Sequence, residues 1–567
     1  MKKGKIGIVL HSHIPYVVNY GSWPHGTDWL YEACAETYIP LLSMLNKLSS
    51  EGIKAKITIS FTPILVEQIN TEEFKEGFTD YVNMKIKYAN ENKKEFEKKG
   101  EKELSKLADM WFDYYQGILE EFYINNRNII LGFQNLEEEG CIDILTSSAT
   151  HAYLPLLKRD ETIDLQIKLG VETYEKHFGE LPKGIWLPEC GYRPSYKWKP
   201  PIGDHPAYDR KGIEEFLYNH GIEFFFVDKH LIEGGKPIGT YISRFEILRR
   251  LWEQFEKSYE FEETKEKSVY KPYYVVSRGK TNGAICFGRD PKTALQVWST
   301  EWGYPGDYRY LEFHKKHFPG GIKYWRITSS KLDLALKEPY VPIKAREAVK
   351  DHARHFVNLV KETLLEYYKN TGKVGILTSM YDTELFGHWW FEGIMWLEEV
   401  IRLINMDEDI ELTTFPEYYE YYPPEEVVML PEGSWGEGGF HYIWLNEMTK
   451  WTWERIYECE DIFFGILDEL KKEKDKLDTM IIDVIKQFIK EFLFLTASDW
   501  QFLITTFSAK DYAEARFSIH YSNFKKLANI VKEWLDNKGI KLQDLIFVKD
   551  LIEKTPVFEN IRVEELL

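Results

Sequence analysis

The 567-residue chain is short of cysteine, of basic charge and of long apolar runs, and each shortage closes off a class of protein. Its five cysteines, Cys34, Cys141, Cys190, Cys286 and Cys459, are odd in number, scattered and without a CxxC pair. That is neither a disulfide framework nor a zinc site, and it suits a reducing compartment, with the cytoplasm as the default. Lysine and arginine number 72 against 91 aspartates and glutamates, a net charge of −19. Such acidity argues against a binder of nucleic-acid backbones or anionic membranes and favours a neutral or cationic partner. No apolar run approaches the roughly 18–20 residues of a membrane span. Near the amino terminus the run from Ile6 to Leu10 falls short of the roughly 7–15 residues of a secretory signal core. We find no internal repeat and no low-complexity tract.

What the chain has in abundance is aromatic surface: 18 Trp, 36 Tyr and 34 Phe, 16% of all residues. Large cores use aromatic rings, but this many tryptophans exceeds what packing usually asks for. Trp and Tyr faces stack on the C–H faces of sugar rings, and carboxylates accept hydrogen bonds from sugar hydroxyls. Composition therefore points toward carbohydrate.

Over the first 430 residues, short β-type runs alternate with helical or irregular stretches, the pattern of a parallel α/β sheet or barrel. Expected strands are Ile6 to Leu10, Ala55 to Phe61, Ile142 to Thr146, Gly184 to Leu187, Glu223 to Val227, Tyr273 to Val276, Ala284 to Phe287, Tyr324 to Thr328 and Val374 to Thr378. A charged, amphipathic stretch over about 71–126 reads as long inserted helices, and about 230–272 as an inserted loop region. From about Lys450 the apolar spacing becomes helical, as in IIDVIKQFIKEFLFLTASDW. The segment Tyr419 to Glu432, with three prolines, reads as the link between the two parts. The expected organisation is a catalytic barrel over 1–425 and a helical domain over 426–567.

An α/β barrel builds its active site at the carboxy-terminal ends of its strands. Five expected strands end in polar chemistry: His11-Ser12-His13, Thr150-His151, Trp186-Leu187-Pro188-Glu189-Cys190, Arg289-Asp290 and Tyr381-Asp382-Thr383-Glu384. Five such endings suggest a single cleft. Within it Glu189 and Asp382 are the candidate catalytic pair, because aromatic flanks can raise one carboxyl pKa while the other stays ionised. The plainer reading is that they cap helices or pair with Arg193 or Arg289. His11 and His13, with His151, His388 and Asp382, could begin a metal site; equally, the histidines could bind sugar hydroxyls or orient a carboxylate without metal. Trp298 before the Gly303–Asp307 loop, and Trp435 with His441 and Trp444 around a glycine-rich loop, suggest a sugar groove. A lid tucked against the helical domain is the alternative for Trp435. Asp499, beside Trp500, either reaches the cleft or ties the two domains together.

These segments resemble glycoside hydrolase family 57 over most of the chain. HSHIPYV, ILTSSATHAYLP, IWLPECGY, YDTELFGHWWFEG and the Trp-rich segment with ASDWQF are similar to the family's five ordered regions. The resemblance implies an incomplete (β/α)7 barrel with inserted helical segments and a C-terminal all-helical domain. It also implies metal-independent retaining chemistry on α-1,4-glucans, with Glu189 as nucleophile and Asp382 as acid/base, and no cofactor. Within the family, QVWSTEWGYPGDYRYLEFHKK and GSWGEGGFHYIWLNE are similar to the glycogen branching enzymes and their amylase-named relatives. Trp23, Trp29, Trp298, Trp435 and Trp444 fall where those enzymes place substrate-contacting tryptophans. His11, His13, His151, Asp307, Trp390, Asp499 and Trp500 complete the expected substrate contacts.

The implied reaction is a double displacement. Glu189 attacks the anomeric carbon while Asp382 protonates the leaving chain; Asp382 then activates a glucan 6-hydroxyl to make an α-1,6 branch. If water arrives instead, the product is hydrolysis, so the outcome depends on excluding water. The branching enzymes carry a tyrosine-tipped loop, for which GGKPIGTY offers Tyr241. Side hydrolysis is expected. An α-amylase or a 4-α-glucanotransferase of the same fold shares the carboxylates and differs in acceptor, while a non-catalytic glucan-binding protein would have no reason to keep them.

Overall fold

The structure is a computed structural model and describes residues 2–234, 266–277, 280–299, 303–536 and 539–567. Seven parallel strands form a ring: β1 (Gly4–Ser12), β2 (Ile57–Phe61), β3 (Ile142–Leu145), β4 (Gly184–Ile185), β5 (Phe224–Val227), β7 (Lys280–Gly288) and β8 (Gly375–Asp382). Ladders join β8 to β1, β1 to β2, β2 to β3, β4 to β5 and β5 to β7. Single parallel bridges, Thr146 with Ile185 and Arg289 with Thr378, close the two remaining gaps. This is the expected seven-stranded barrel.

Strands outside the ring extend its sides. β6 (Tyr273–Ser277) runs antiparallel to β7 and carries β10 (Val427–Val428), and β9 (Ile410–Leu412) pairs with the first residues of β1. One strand expectation needs correcting. Tyr324 to Thr328 is not a barrel strand: only Ile322–Lys323 pairs, antiparallel with Lys316–His317, and Trp325 and Arg326 make isolated bridges to Pro339 and Leu311. Its aromatic, β-branched composition satisfies a local pairing and carries no information about the partner. β9 and β10, three and two residues long, were not expected.

Side chains alternate across a strand, so every second residue faces the barrel interior. Val9, Phe224, Phe226, Ile285, Phe287, Ile376 and Met380 form one buried cluster, separate from the outer core that holds Phe225 and Leu377. Phe415, on the short helix Phe415–Tyr421, adds its ring to that cluster 4.7 Å from Phe226 and 4.8 Å from Phe287. Counting upward in twos from Val9 and Met380 reaches His11 and Asp382, which are register partners at the carboxy-terminal rim. The period of the strand thus delivers both polar side chains to the top of the apolar stack.

The 71–126 stretch forms α1 (Glu72–Lys99) and α2 (Lys102–Ile124). Thr71 caps α1 by accepting from the Phe74 N–H at 3.2 Å, acidic residues fill its first turn and lysines its last, and Gly100 ends it at φ +75°. A 30-residue helix, α3 (Pro342–Thr371), precedes β8. The carboxy-terminal part is helical: α4 (Lys450–Lys472), α5 (Thr479–Leu495), α6 (Asp499–Thr506), α7 (Lys510–Leu535) and α8 (Leu542–Lys554). It sits on the barrel rim, where Thr150 donates to the Leu493 carbonyl at 2.7 Å and Ser498 N–H to the His151 carbonyl at 3.0 Å. All five cysteines are buried and unbridged. Among the described residues no helix is long and apolar enough to cross a membrane.

Candidate active site

Glu189 lies in a tight turn just past β4, at φ +58°, with Cys190 following at φ +48°. Two consecutive non-glycine residues in the left-handed region cost of order 1–3 kcal/mol each and persist only where surroundings enforce them. Here the enforcing element is the 434–440 loop. The Trp435 backbone N–H donates to the Glu189 carbonyl at 3.1 Å, and its indole Nε1–H donates to Glu189 Oε2 at 2.9 Å. Burial pushes the Glu189 carboxyl up to about 8; the Trp435 bond opposes this, and the charges of Asp382 and Asp499 add to it. Glu189 therefore holds its proton near neutral pH.

Asp382 is the last residue of β8, and the turn after it carries a third carboxyl, Glu384. Glu384 Oε1 accepts from the His13 backbone N–H at 3.1 Å and from the Tyr38 hydroxyl. Burial, with Asp382 nearby, raises it to about 8 against those two bonds. Tyr38 ends a π-helical segment, Cys34–Tyr38, a form frequent at functional sites. The sequence places Glu384 in the polar ending of its strand without assigning it a role, and gives no sign of Tyr38.

The three histidines form one stack. His13 and His151 rings lie 3.9 Å apart, and His11 lies flat on Trp186 at 4.7 Å. His11 bonds Ser60 at 3.1 Å and His151 at 3.0 Å; His151 bonds Ser498 at 2.9 Å. Burial, with His13 beside each, holds both well below the usual imidazole range, so both are neutral. His13 bonds Thr62 at 3.0 Å and Asp499 at 2.9 Å. Asp499 thus enters the cleft and ties the domains at once. Ser60 and Thr62, missed in the sequence, stand at the end of β2 as polar residues closing an apolar strand.

Among the described residues one constellation, His13, His151 and Asp499, brings possible metal-ligand atoms within 4.8 Å of one another. The donors of His13 and His151 are already engaged with Thr62, Asp499, His11 and Ser498, an arrangement that serves hydrogen bonding as it stands. His388 is not part of it and bonds Glu36 at 3.0 Å.

Most of the expected tryptophans are covered, and Trp23 is the exposed exception. Trp23 is 70% exposed and Trp29 half-buried, edge-on to Tyr512 at 5.5 Å. Trp298, Trp390, Trp444 and Trp500 are buried. Trp444 stacks on Tyr153 at 4.2 Å, Trp390 packs on Trp396 at 5.4 Å, and the Trp500 indole donates to the Phe494 carbonyl. Trp435, on its glycine-rich loop, is clamped between Trp186, edge-on at 5.0 Å, and Arg289. Asp307 is paired with Arg309 at 2.8 and 2.9 Å and lines a separate pocket of about 420 Å³ with Tyr304, His352 and His355. Tyr241 lies outside the described residues.

A barrel whose rim gathers buried carboxyls, neutral histidines and indole N–H groups has the architecture of a sugar-transforming hydrolase or transferase. The comparisons with known proteins place it further. The family model for glycosyl hydrolase family 57 matches residues 7–431, and the chain belongs to that family. The model for the carboxy-terminal part of 1,4-alpha-glucan branching enzymes matches residues 455–565. A 1,4-alpha-glucan branching enzyme of Thermococcus kodakarensis is 44% identical over 93% of this chain and 74% of its own length. Its crystal structure superposes with a TM-score of 0.89 at 40% identity, covering 100% of this chain and 96% of that one. The alpha-amylase AmyC of Thermotoga maritima follows at 0.79 and 29%, covering 100% and 99%.

Proposed function

We propose that this chain is a 1,4-alpha-glucan branching enzyme working by retaining double displacement. The observation that carries the reading is the convergence of Glu189 and Asp382 on one barrel rim, in a chain similar along nearly its whole length to enzymes named for that reaction. Glu189 Oε attacks the anomeric carbon of an α-1,4-linked glucan, and Asp382 gives its proton to the departing glycosidic oxygen, leaving a covalent glycosyl ester on Glu189. Asp382, now a carboxylate, takes the proton of an incoming 6-hydroxyl, whose oxygen displaces Glu189 with net retention. Attack needs the Glu189 anion, so its raised pKa sets the acidic limb of the rate profile. Water in place of the 6-hydroxyl gives hydrolysis as a side reaction. The partner is an α-1,4-glucan such as amylose or a glycogen-like polymer, the role is glycogen biosynthesis, and the unbridged cysteines suit the cytoplasm.

The test is to incubate the protein with amylose and follow α-1,6 linkages by proton NMR alongside new reducing ends. Growth of α-1,6 signal ahead of reducing ends supports branching. Reducing ends rising alone would make it an amylase, the reading favoured by its likeness to AmyC.

A further inference from the structure

Against the Trp435 ring stands a buried cation. Arg289 follows directly on β7; its backbone N–H donates to the Val227 carbonyl at 2.9 Å and the residue bridges Thr378. Its side chain is 1% exposed, and Nε has no hydrogen-bond partner among the described residues. The guanidinium carbon lies 5.2 Å from the centroid of the Trp435 ring, within reach of a cation–π contact. The neighbouring carboxylate cannot serve as its counter-ion, because Asp290 is turned to Thr293 and Tyr270. Asp228, which follows β5 beside it, is a buried carboxylate with Oδ2 3.3 Å from His230 Nδ1 and Oδ1 without a hydrogen-bond partner among the described residues, and acts with Arg289 on Cys190; the Cys190 thiol and the Tyr381 phenol are neutral.

We propose that Arg289 is a positioning residue that acts through Trp435, drawing density from the indole so that its N–H binds Glu189 Oε2 more strongly and favours ionisation of the attacking carboxyl. The inference rests on reading Glu189 as the nucleophile. The groups facing Glu189 explain why such a device is needed: Asp382 and Asp499 both oppose its ionisation, the Tyr153 phenol is neutral, and the Trp435 indole is its only side-chain hydrogen-bond donor among the described residues. A cation placed directly on Glu189 would form an ion pair and blunt the nucleophile. In contact with the Trp435 ring instead, it favours the anion through a donor that keeps the oxygen available. The sequence could not show this, since Arg289 and Trp435 belong to distant segments.

The test measures kcat/KM against pH for a chromogenic maltooligosaccharide in the wild type, Arg289→Met, Arg289→Lys, Trp435→Phe, the Arg289→Met/Trp435→Phe double variant and Glu189→Gln. The expected result is an acidic limb about one pH unit higher in Arg289→Met, a tenfold loss of the anion at a given pH on that limb. Arg289→Lys should restore most of the shift, Trp435→Phe should reproduce it, and the double variant should add nothing further. A limb that stays in place while the rate falls, or effects that multiply in the double variant, would overturn the proposal. Should Arg289→Met fail to fold, an unmoved limb in Trp435→Phe overturns it alone. Glu189→Gln separates the two readings: if it stays active, the nucleophile assignment fails; if it is inactive and the limb is unmoved, only the role of Arg289 fails.

Discussion

At the scale of single residues, the site stores unfavourable states that function would use. Glu189 sits in a left-handed conformation, is buried, and faces two other carboxylates. Between its unfolded pKa of about 4.3 and its folded value of about 8, the native protein holds a proton that the unfolded chain has released, so this residue lowers stability as pH rises through that window. Glu189→Gln should therefore lose activity by at least roughly 10³-fold while melting at a higher temperature than the wild type at pH 8 and near the wild-type value at pH 4. Activity assays and thermal melts at the two pH values check both halves. The His13, His151 and Asp499 cluster gives a second expectation at this scale: a chelator should leave the rate unchanged, because these side chains already satisfy one another. Loss of activity that returned with a divalent metal would reassign them. Glu189, Asp382, His11 and His13 were legible in the sequence because each closes an apolar strand with a polar side chain. The pairing of Glu384 with Tyr38 was not, because a hydrogen bond between distant residues leaves no local pattern.

At the scale of elements, the rim is held by contacts between neighbouring strand ends. Glu384, just past β8, binds the His13 N–H just past β1 and the Tyr38 hydroxyl of the π-helical turn, while Ser12 meets Thr383 at 2.7 Å. Tyr38→Phe removes one donor from a buried carboxyl and should cost roughly 1–3 kcal/mol, read as a lower denaturation midpoint with an unchanged slope. Strands with clear composition and a parallel neighbour, such as β2, β5 and β8, were legible. Tyr324 to Thr328 was misread and β9 missed for one reason: strand composition records a half-buried, pleated surface, not which strand lies alongside. The helices of 71–126 were legible because their period, caps and charge order are local.

At the scale of the whole molecule, the helical part completes the cleft and is bolted to the barrel by buried polar groups. Glu460 of α4 is fully buried and accepts from the Lys158 and Arg159 backbone N–H groups at 3.0 Å and from the Thr162 hydroxyl at 2.6 Å. Glu460→Ala would strand three donors at this seam, and scanning calorimetry should show a lower main transition, the loss being on the order of 3 kcal/mol or more. An unchanged transition would mean that water replaces the carboxylate at no cost.

The sequence by itself determined the alternation of strands and helices, the polar closures of the barrel strands and the helical character of the carboxy-terminal part, because period, capping and composition act over a few residues. Only the tertiary structure decided which tryptophans are covered, that Asp499 reaches His13, and that Trp435 both meets Arg289 and donates to Glu189. Burial and pairing of that kind arise where segments far apart in the chain meet, and no local pattern of residues records the meeting.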